Sequence, residues 1–203
     1  MTTPHRLGIL LSGRGSNFLA IAESVAAGRI PNAEIALVIS NKSDAPALSA
    51  ARERGLTALA IEANGRKRAE HDAAIIAALR EHRVELICLA GYMRLLSPGF
   101  IQAFPQRILN IHPSLLPAFP GLDAQHQAFD YGVKIAGCTV HFVDEQLDHG
   151  VIILQRAVPV HETDDAQTLS TRILAEEHIA YPDAIARVLS GDYRIEGRRY
   201  MHK

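Results

Sequence analysis

The sequence predicts an α/β protein with a doubly wound, mostly parallel sheet, an antiparallel C-terminal extension and a long C-terminal helix. Two observations predict it. Short, continuous apolar runs alternate with helical patterns through the first half, as expected of a parallel sheet covered on both faces. In the second half two longer strand-like runs, Gly137 to Val143 and Val151 to Val160, are joined by a loop alone, which suits an antiparallel pair. The length agrees, since 203 residues and 22.1 kDa correspond to about one domain at ~150 residues each. No repeat, low-complexity tract or Pro/Gly/Ser linker divides the chain, so residues 1–203 read as a single domain.

Each element has a local reason. Leu7-Gly8-Ile9-Leu10-Leu11 reads as a fully buried strand, followed by a Gly-rich turn and a helix from about Asn17 to Ala27. Ile35 to Ile39 is a second strand, with Asn41-Lys42-Ser43-Asp44 as the loop after it. Ala47 to Arg54 reads as a short helix ended by Gly55, and Leu56 to Ile61 as a third strand. In Arg66 to His82, Ile75, Ile76 and Leu79 form one stripe against a charged outer face, the pattern of an amphipathic helix. Leu86 to Ala90 and Arg107 to Ile111 are the next strands, and residues 114–121 read as an irregular loop. The last helix runs from about Ala166 to Leu189, with an interruption expected at Tyr181-Pro182, where proline removes an amide. The whole pattern is Rossmann-like.

Composition narrows the function classes. Hydrophobic residues make up 48% and charged residues 21%, enough for a core and unlike a disordered chain. Twenty-one Lys+Arg against 22 Asp+Glu leave a formal charge of 21 − 22 = −1, which excludes whole-surface attraction to nucleic acid or anionic membranes. Charged residues interrupt every apolar run before the ~18 residues of a membrane span. The start, Met1-Thr2-Thr3-Pro4-His5-Arg6, shows no signal-peptide pattern, and Cys88 and Cys138 form no CxxC. A reduced, cytoplasmic chain is the expectation. Ten histidines bring no HExxH and no ligand-spaced cluster, so no metal is expected.

Four features carry candidate chemistry. In Ser12-Gly13-Arg14-Gly15-Ser16-Asn17, two glycines allow a tight turn into a helix N-terminus, which favours an anion such as phosphate. Phe18 stands where a dinucleotide fingerprint has its third glycine, and no Gly-Lys-Ser/Thr makes it a P-loop. The plain alternative is an ordinary turn with Ser16 or Asn17 as N-cap. Asn110 and His112 share one side of a strand at its carboxyl end, where open α/β sheets bind ligands. An amide beside an imidazole can polarise a carbonyl and hold an oxyanion; alternatively both simply satisfy backbone groups. One of Asp144, Glu145 and Asp148 could orient His112 and favour its charged form, and spacing does not choose among them. Glu177 falls in the apolar stripe Leu169, Ile173, Ala180, Ala184, Val188, so it either binds something such as a cationic amine or marks a stripe edge facing water.

These segments resemble the glycinamide ribonucleotide formyltransferases, folate-dependent enzymes of purine synthesis within the formyltransferase superfamily. The matching pieces are Gly13 to Asn17, Ser40-Asn41-Lys42, Leu89 to Leu96, Asn110-Ile111-His112-Pro113-Ser114-Leu115-Leu116-Pro117, Gly137 to Val143 and Glu177-His178, in order over nearly the whole chain. The Asn-x-His-Pro-Ser-Leu-Leu-Pro segment belongs to the whole superfamily. Gly-x-Gly-Ser-Asn, with a chain ending soon after the long helix, is more selective, since methionyl-tRNA formyltransferases add a C-terminal barrel and formyltetrahydrofolate hydrolases usually an N-terminal domain.

The resemblance implies transfer of the formyl group of 10-formyltetrahydrofolate, the co-substrate, to the amine of 5-phosphoribosylglycinamide, with Asn110, His112 and Asp148 catalytic. It implies that Gly15, Ser16, Asn17 and Glu177 bind the ribonucleotide, with Leu174, Ala175 and Glu176 as weaker candidates. It implies folate contacts from Arg68, Met93, Arg94, Leu95, Leu96, Asn110, Asp144, Glu145, Gln146, Leu147 and Asp148. The implied partners are these two small molecules, without nucleic acid or membrane, for a monomer or homodimer. Two positions depart from the family pattern: Gln125 followed by His126, where a histidine commonly precedes a Gln-Ala pair by two, and His149, where a small residue is usual. A hydrolase of the same folate would share Asn110, His112 and Asp148 but need no amine pocket, and a non-catalytic phosphosugar- or folate-binding module would need none of the three.

Overall fold

Residues 3–203 are described by the computed structural model of the chain. Met1 and Thr2, the first residues of the segment read for a signal-peptide pattern, lie outside the described residues. The chain divides after Leu109 into two compact units, the second being Asn110–Lys203.

The first unit is a parallel α/β layer. β1(His5–Leu11) pairs with β2(Ala33–Ser40) and, through its Leu7–Leu10 stretch, with β4(Leu86–Leu89), while β2 pairs with β3(Ala58–Ala60); every pairing is parallel. Leu7, Ile9, Leu10 and Leu11 are fully buried, as are Leu37, Val38 and Ile39, which is why these runs carry no polar alternation. The helices are α1(Ser16–Ala26), α2(Pro46–Glu53), α3(Arg68–Glu81) and α4(Pro98–Ala103). Four departures from the sequence expectation stand out. β3 is only three residues long. α3 begins at Arg68 rather than Arg66. The cap of α1 is Gly15 in the left-handed conformation with no side-chain cap bond, so neither Ser16 nor Asn17 caps it. The short α4 has a start signal the periodicity passes over: Ser97 caps it by accepting from Phe100 N, with Pro98 at its first position.

The strand β5(Ile108–His112) carries the division between units, with Asn110, Ile111 and His112 in the second. There, β6(Ile135–Phe142) and β7(Ile152–Pro159) pair antiparallel, as expected. β8(Tyr193–Glu196) and β9(Arg199–His202) form a hairpin that the sequence reading leaves out, and β9 joins β7 at Ile152↔Arg199. α5(Ala124–Tyr131) is also new. α6(Ala166–Leu189) opens with a capping box between Asp165 and Thr168 and runs unbroken through Pro182. The expected interruption is absent because Tyr181, Ala184 and Ile185 are fully buried, and that packing holds the helix across one missing amide. No helix among the described residues is long and apolar enough to cross a membrane.

Candidate active site

The second unit gathers the catalytic candidates. Asn110 and His112 stand two apart on β5, so the period of a strand sends both side chains to one face. Opposite them, the loop 143–149 between β6 and β7 carries Asp148 in the left-handed region, φ 48°, a conformation that Asp and Asn adopt more readily than other side chains. Asp148 Oδ2 lies 3.4 Å from His112 Nδ1, and Oδ1 lies 3.8 Å from His141 Nε2. Gly121 N donates to the same Oδ2 at 2.8 Å. Of the three loop acids, Asp148 is therefore the one against His112. Asp144 is turned to the exposed side, where it accepts from Gln146 N at 2.9 Å and His149 Nδ1 at 2.8 Å.

The base of this loop is tightly closed. Phe142 N donates to Val151 O at 2.9 Å, and a Cβ on Gly150 would sit 1.8 Å from the carbonyl oxygen of Phe142. Only glycine fits where the loop returns to β7, and that closure delivers Asp148 two residues earlier.

His112 is held on both ring nitrogens. Its Nε2–H donates to Phe119 O at 2.9 Å, while Nδ1 faces the carboxylate. An imidazolium, which donates from both nitrogens, matches the two acceptors. The Phe119 carbonyl is itself fixed by Ser114 Oγ, which donates to Ala118 O at 2.6 Å and reaches Phe119 O at 3.3 Å. Ser114 is anchored in turn through Thr139, whose hydroxyl donates to Ser114 O at 2.7 Å and accepts from Leu116 N at 3.0 Å. Gln155 Nε2 closes this buried network on Thr139 Oγ1 and Leu116 O, both at 2.9 Å.

His141 is a residue the sequence reading gives no role. Its Nδ1–H donates to Phe142 O at 2.8 Å, so in the neutral ring Nε2 is an acceptor, and Asn110 Nδ2 donates to it at 3.3 Å. Burial holds its pKa below the ordinary 6.5, against the opposing pull of the Phe142 carbonyl and Asp148. A neutral His141 therefore orients the Asn110 amide, leaving Asn110 Oδ1 and the second amide hydrogen for other partners. The available signal was a titratable ring inside a mostly apolar strand.

The remaining second-unit candidates lie on α6. Glu177 is only 5% exposed, so it belongs to the buried stripe rather than its wet edge. Its charge acts on Cys138, whose thiol is pushed up to about 12, chiefly by burial and then by Glu177; this cysteine is inert as a nucleophile. Leu174 is half-buried and Ala175 exposed, and Glu176 pairs with Arg156 on β7. Gln125 and His126 occupy the first turn of α5, with His126 exposed.

In the first unit the Gly-rich turn is built for close approach. Gly15 has φ 77°, and a Cβ there would come within 2.6 Å of Ala47 Cβ. Ser12 ties the turn to its neighbours: its hydroxyl donates to Asn41 Oδ1 at 2.5 Å and accepts from Met93 N at 2.8 Å. Ser16 is half-buried and Asn17 buried, at the N-terminus of α1. The segment after β4 exposes apolar surface, with Met93 65% and Leu95 54% exposed, while Leu96 is half-buried and Arg94 Nε is buried without a hydrogen-bond partner. Leu147, in the second unit, is 57% exposed, with Glu145 and Gln146 exposed beside it. Arg68 opens α3 and is exposed.

A strand-end amide and imidazole facing a buried loop carboxylate define a centre able to hold and protonate an oxyanion on an α/β scaffold. Comparison with known families gives the class: the family model for formyl transferase matches residues 5–185, and the chain belongs to that family. Among its relatives, phosphoribosylglycinamide formyltransferase of Bacillus subtilis (strain 168) is 44% identical over 192 residues, covering 94% of this chain and 98% of that protein. The trifunctional purine biosynthetic protein adenosine-3 of Homo sapiens is 45% identical over 193 residues, 94% of this chain but 19% of that protein. This chain spans between 14% and 19% of the trifunctional relatives it matches. The crystal structure of glycinamide ribonucleotide transformylase 1 from Symbiobacterium toebii superposes with a TM-score of 0.96 at 51% identity, covering 100% of this chain and 95% of that one. The mixed α/β fold expected from the sequence is thereby shared with formyltransferase structures.

Proposed function

We propose that this chain is an enzyme that transfers the formyl group of 10-formyltetrahydrofolate to the amine of 5-phosphoribosylglycinamide, a step of purine synthesis. The observation that carries this reading is Asp148 at 3.4 Å from His112, with Asn110 beside it on β5, in a chain 44% identical to a phosphoribosylglycinamide formyltransferase over nearly its full length. The amine nitrogen attacks the formyl carbon, and the carbonyl electron pair moves to oxygen. Asn110 donates to that oxyanion and His112 gives it a proton, exchanging its bond to Phe119 O for one to substrate. Asp148 stabilises the imidazolium and relays the proton that the amine loses towards the folate nitrogen. The carbonyl then re-forms as its proton returns to His112 and the bond from carbon to the protonated folate nitrogen breaks, the electron pair staying on that nitrogen.

Binding is assigned on the same basis. Gly15, Ser16 and Asn17 hold the phosphate, supported by the left-handed glycine and the helix N-terminus. Glu177, a carboxylate inside a buried stripe, receives the cationic or hydroxyl-bearing part of the ribonucleotide, with Leu174, Ala175 and Glu176 of the same helix as weaker candidates. Exposed Met93, Leu95 and Leu147 suit a flat pterin, and Arg94, Leu96, Asn110, Asp144, Glu145, Gln146 and Asp148 complete the folate set. Arg68, exposed at the start of α3, meets the glutamate tail.

We assign residues 1–203 to a single formyltransferase domain, supported by one family model spanning residues 5–185. We place it in the cytoplasm, as a monomer or homodimer acting on small molecules; the near-neutral charge supports a role without nucleic acid or anionic membrane. The test is folate deformylation followed by absorbance with and without phosphoribosylglycinamide. Water is poorly aligned against the formyl carbon, so release should be slow until the ribonucleotide is added, then match formylated product one for one. Formate appearing equally fast without the ribonucleotide would replace the transferase with a hydrolase.

A further inference from the structure

We propose that Arg198, in the turn of the β8–β9 hairpin, is a positioning residue that acts through His149 to hold the loop 143–149, and with it Asp148, in register for formyl transfer. This rests on the function proposed above. The loop is pinched at its base by the Phe142–Val151 hydrogen bond and by Gly150, which constrain where it leaves and re-enters the sheet but not how its outer part is held. That outer part is gripped twice. From within, Asp144 accepts from Gln146 N and from His149 Nδ1, so the loop closes on itself through one carboxylate. From outside, Arg198 donates through its Nη2 to the backbone carbonyl of His149 and lays Nη1 against the same residue's ring.

The ring contact has a definite geometry. Nη1 is 3.2 Å from Nδ1 and 2.9 Å from Nε2, nearly equidistant from two nitrogens on either side of one carbon. An in-plane approach between them would collide with Cε1, so the guanidinium lies over the imidazole face. A planar cation on a ring face, with a second nitrogen on the adjacent carbonyl, uses the shape of arginine and cannot be reproduced by lysine. The hairpin is tied to the unit by the Ile152↔Arg199 pair, by Tyr200, whose hydroxyl donates to Arg187 O at 3.3 Å, and by Tyr193, whose ring stacks on Tyr200 at 4.8 Å and lies 6.2 Å from that of Phe142. Phe142 is the residue whose carbonyl orients His141. The hairpin therefore braces both sides of the loop, its base through Phe142 and its outer part through His149.

Asp144 and His149 are each 42% exposed at the side chain, so the effect is that of a surface interaction on a lever rather than a core contact. Arg198→Ala should raise KM for 10-formyltetrahydrofolate about 3- to 5-fold with a smaller change in kcat. Arg198→Lys should fail to restore it. In a His149→Gly background the same Arg198→Ala change should shift KM much less. Arg194→Ala, which breaks the Arg194–Glu196 pair on the same hairpin, is the control and should leave KM unchanged. Amide hydrogen exchange at residues 146–149 gives a readout independent of activity, and should quicken in Arg198→Ala but not in Arg194→Ala. Unchanged exchange overturns the tether. Quickened exchange with an unchanged KM, or full rescue by Arg198→Lys, overturns the positioning role. A wild-type chain that turns over no folate overturns the functional reading and the positioning role with it, while exchange still decides the tether.

Discussion

Asp148→Asn separates the charge of the loop acid from its shape. The carboxylate is buried and accepts from Gly121 N through Oδ2, with Oδ1 towards His141 Nε2. An asparagine placed with its amide oxygen at Oδ2 keeps the Gly121 bond. Its NH2 group then faces His141 Nε2, whose one lone pair it shares with Asn110 Nδ2 because Nδ1–H is spent on Phe142 O. The backbone at φ 48° suits asparagine as well as aspartate. The fold should therefore lose less than ~1 kcal/mol, a Tm shift of about 2–4 °C or less. What disappears is the negative charge beside His112. At 3.4 Å and an effective dielectric of about 20, a carboxylate and an imidazolium attract by about 5 kcal/mol, an upper limit. The amide oxygen retains part of that as a dipole, and each 1.36 kcal/mol is tenfold in rate, so kcat should fall by ~10²–10³-fold. The assay is absorbance-monitored formyl transfer beside a thermal melt, with Asp144→Asn as the comparison, since Asp144 faces His149 instead. A kcat within about fivefold of wild type, or a larger loss in Asp144→Asn, would refute the charge argument.

Two further outcomes follow from the geometry. Gly15→Val must adopt φ 77° and meet Ala47 Cβ at 2.6 Å, a strain of ~1–2 kcal/mol from the backbone alone, so a melt should show destabilisation. In calorimetry on the folded variant, ribonucleotide binding should weaken by about tenfold or more while folate affinity holds, and equal loss of both would count against a phosphate site at this turn. His141 has a folded-state pKa below its ordinary 6.5, so the unfolded chain takes up a proton first as pH falls. Its stabilising contribution is complete above pH 6.5 and is lost as pH drops through that value towards the folded one. His141→Gln keeps an acceptor for Asn110 without titrating, and should flatten the pH dependence of denaturant stability below neutrality. Identical slopes in the two proteins would refute this.

What was legible in the sequence was whatever a repeating pattern writes locally. Leu7 to Leu11 and Ile35 to Ile39 announce buried strands because both faces are covered, and each falls inside an observed strand. α5, β8 and β9 were not legible because they bury too little to write an apolar pattern: α5 buries only Ala124 and Ala128, and neither β8 nor β9 has a buried residue. Pro182 misled for the opposite reason: its local preference is strong, yet the fully buried neighbours Tyr181, Ala184 and Ile185 outweigh one lost amide. The candidate site divides along the same line. Strand period alone puts Asn110 and His112 on one face, since two residues on one strand need no tertiary information. The choice among Asp144, Glu145 and Asp148 required the family resemblance, because it depends on how a loop returns to its strand. In the structure that choice is made by Gly150 against Phe142 O, by Gly121 N reaching Asp148 and by His149 drawing Asp144 outward. His141 escaped because its role follows from a tautomer fixed by its own neighbour's carbonyl, a relation of angle and distance that spacing along the chain does not encode.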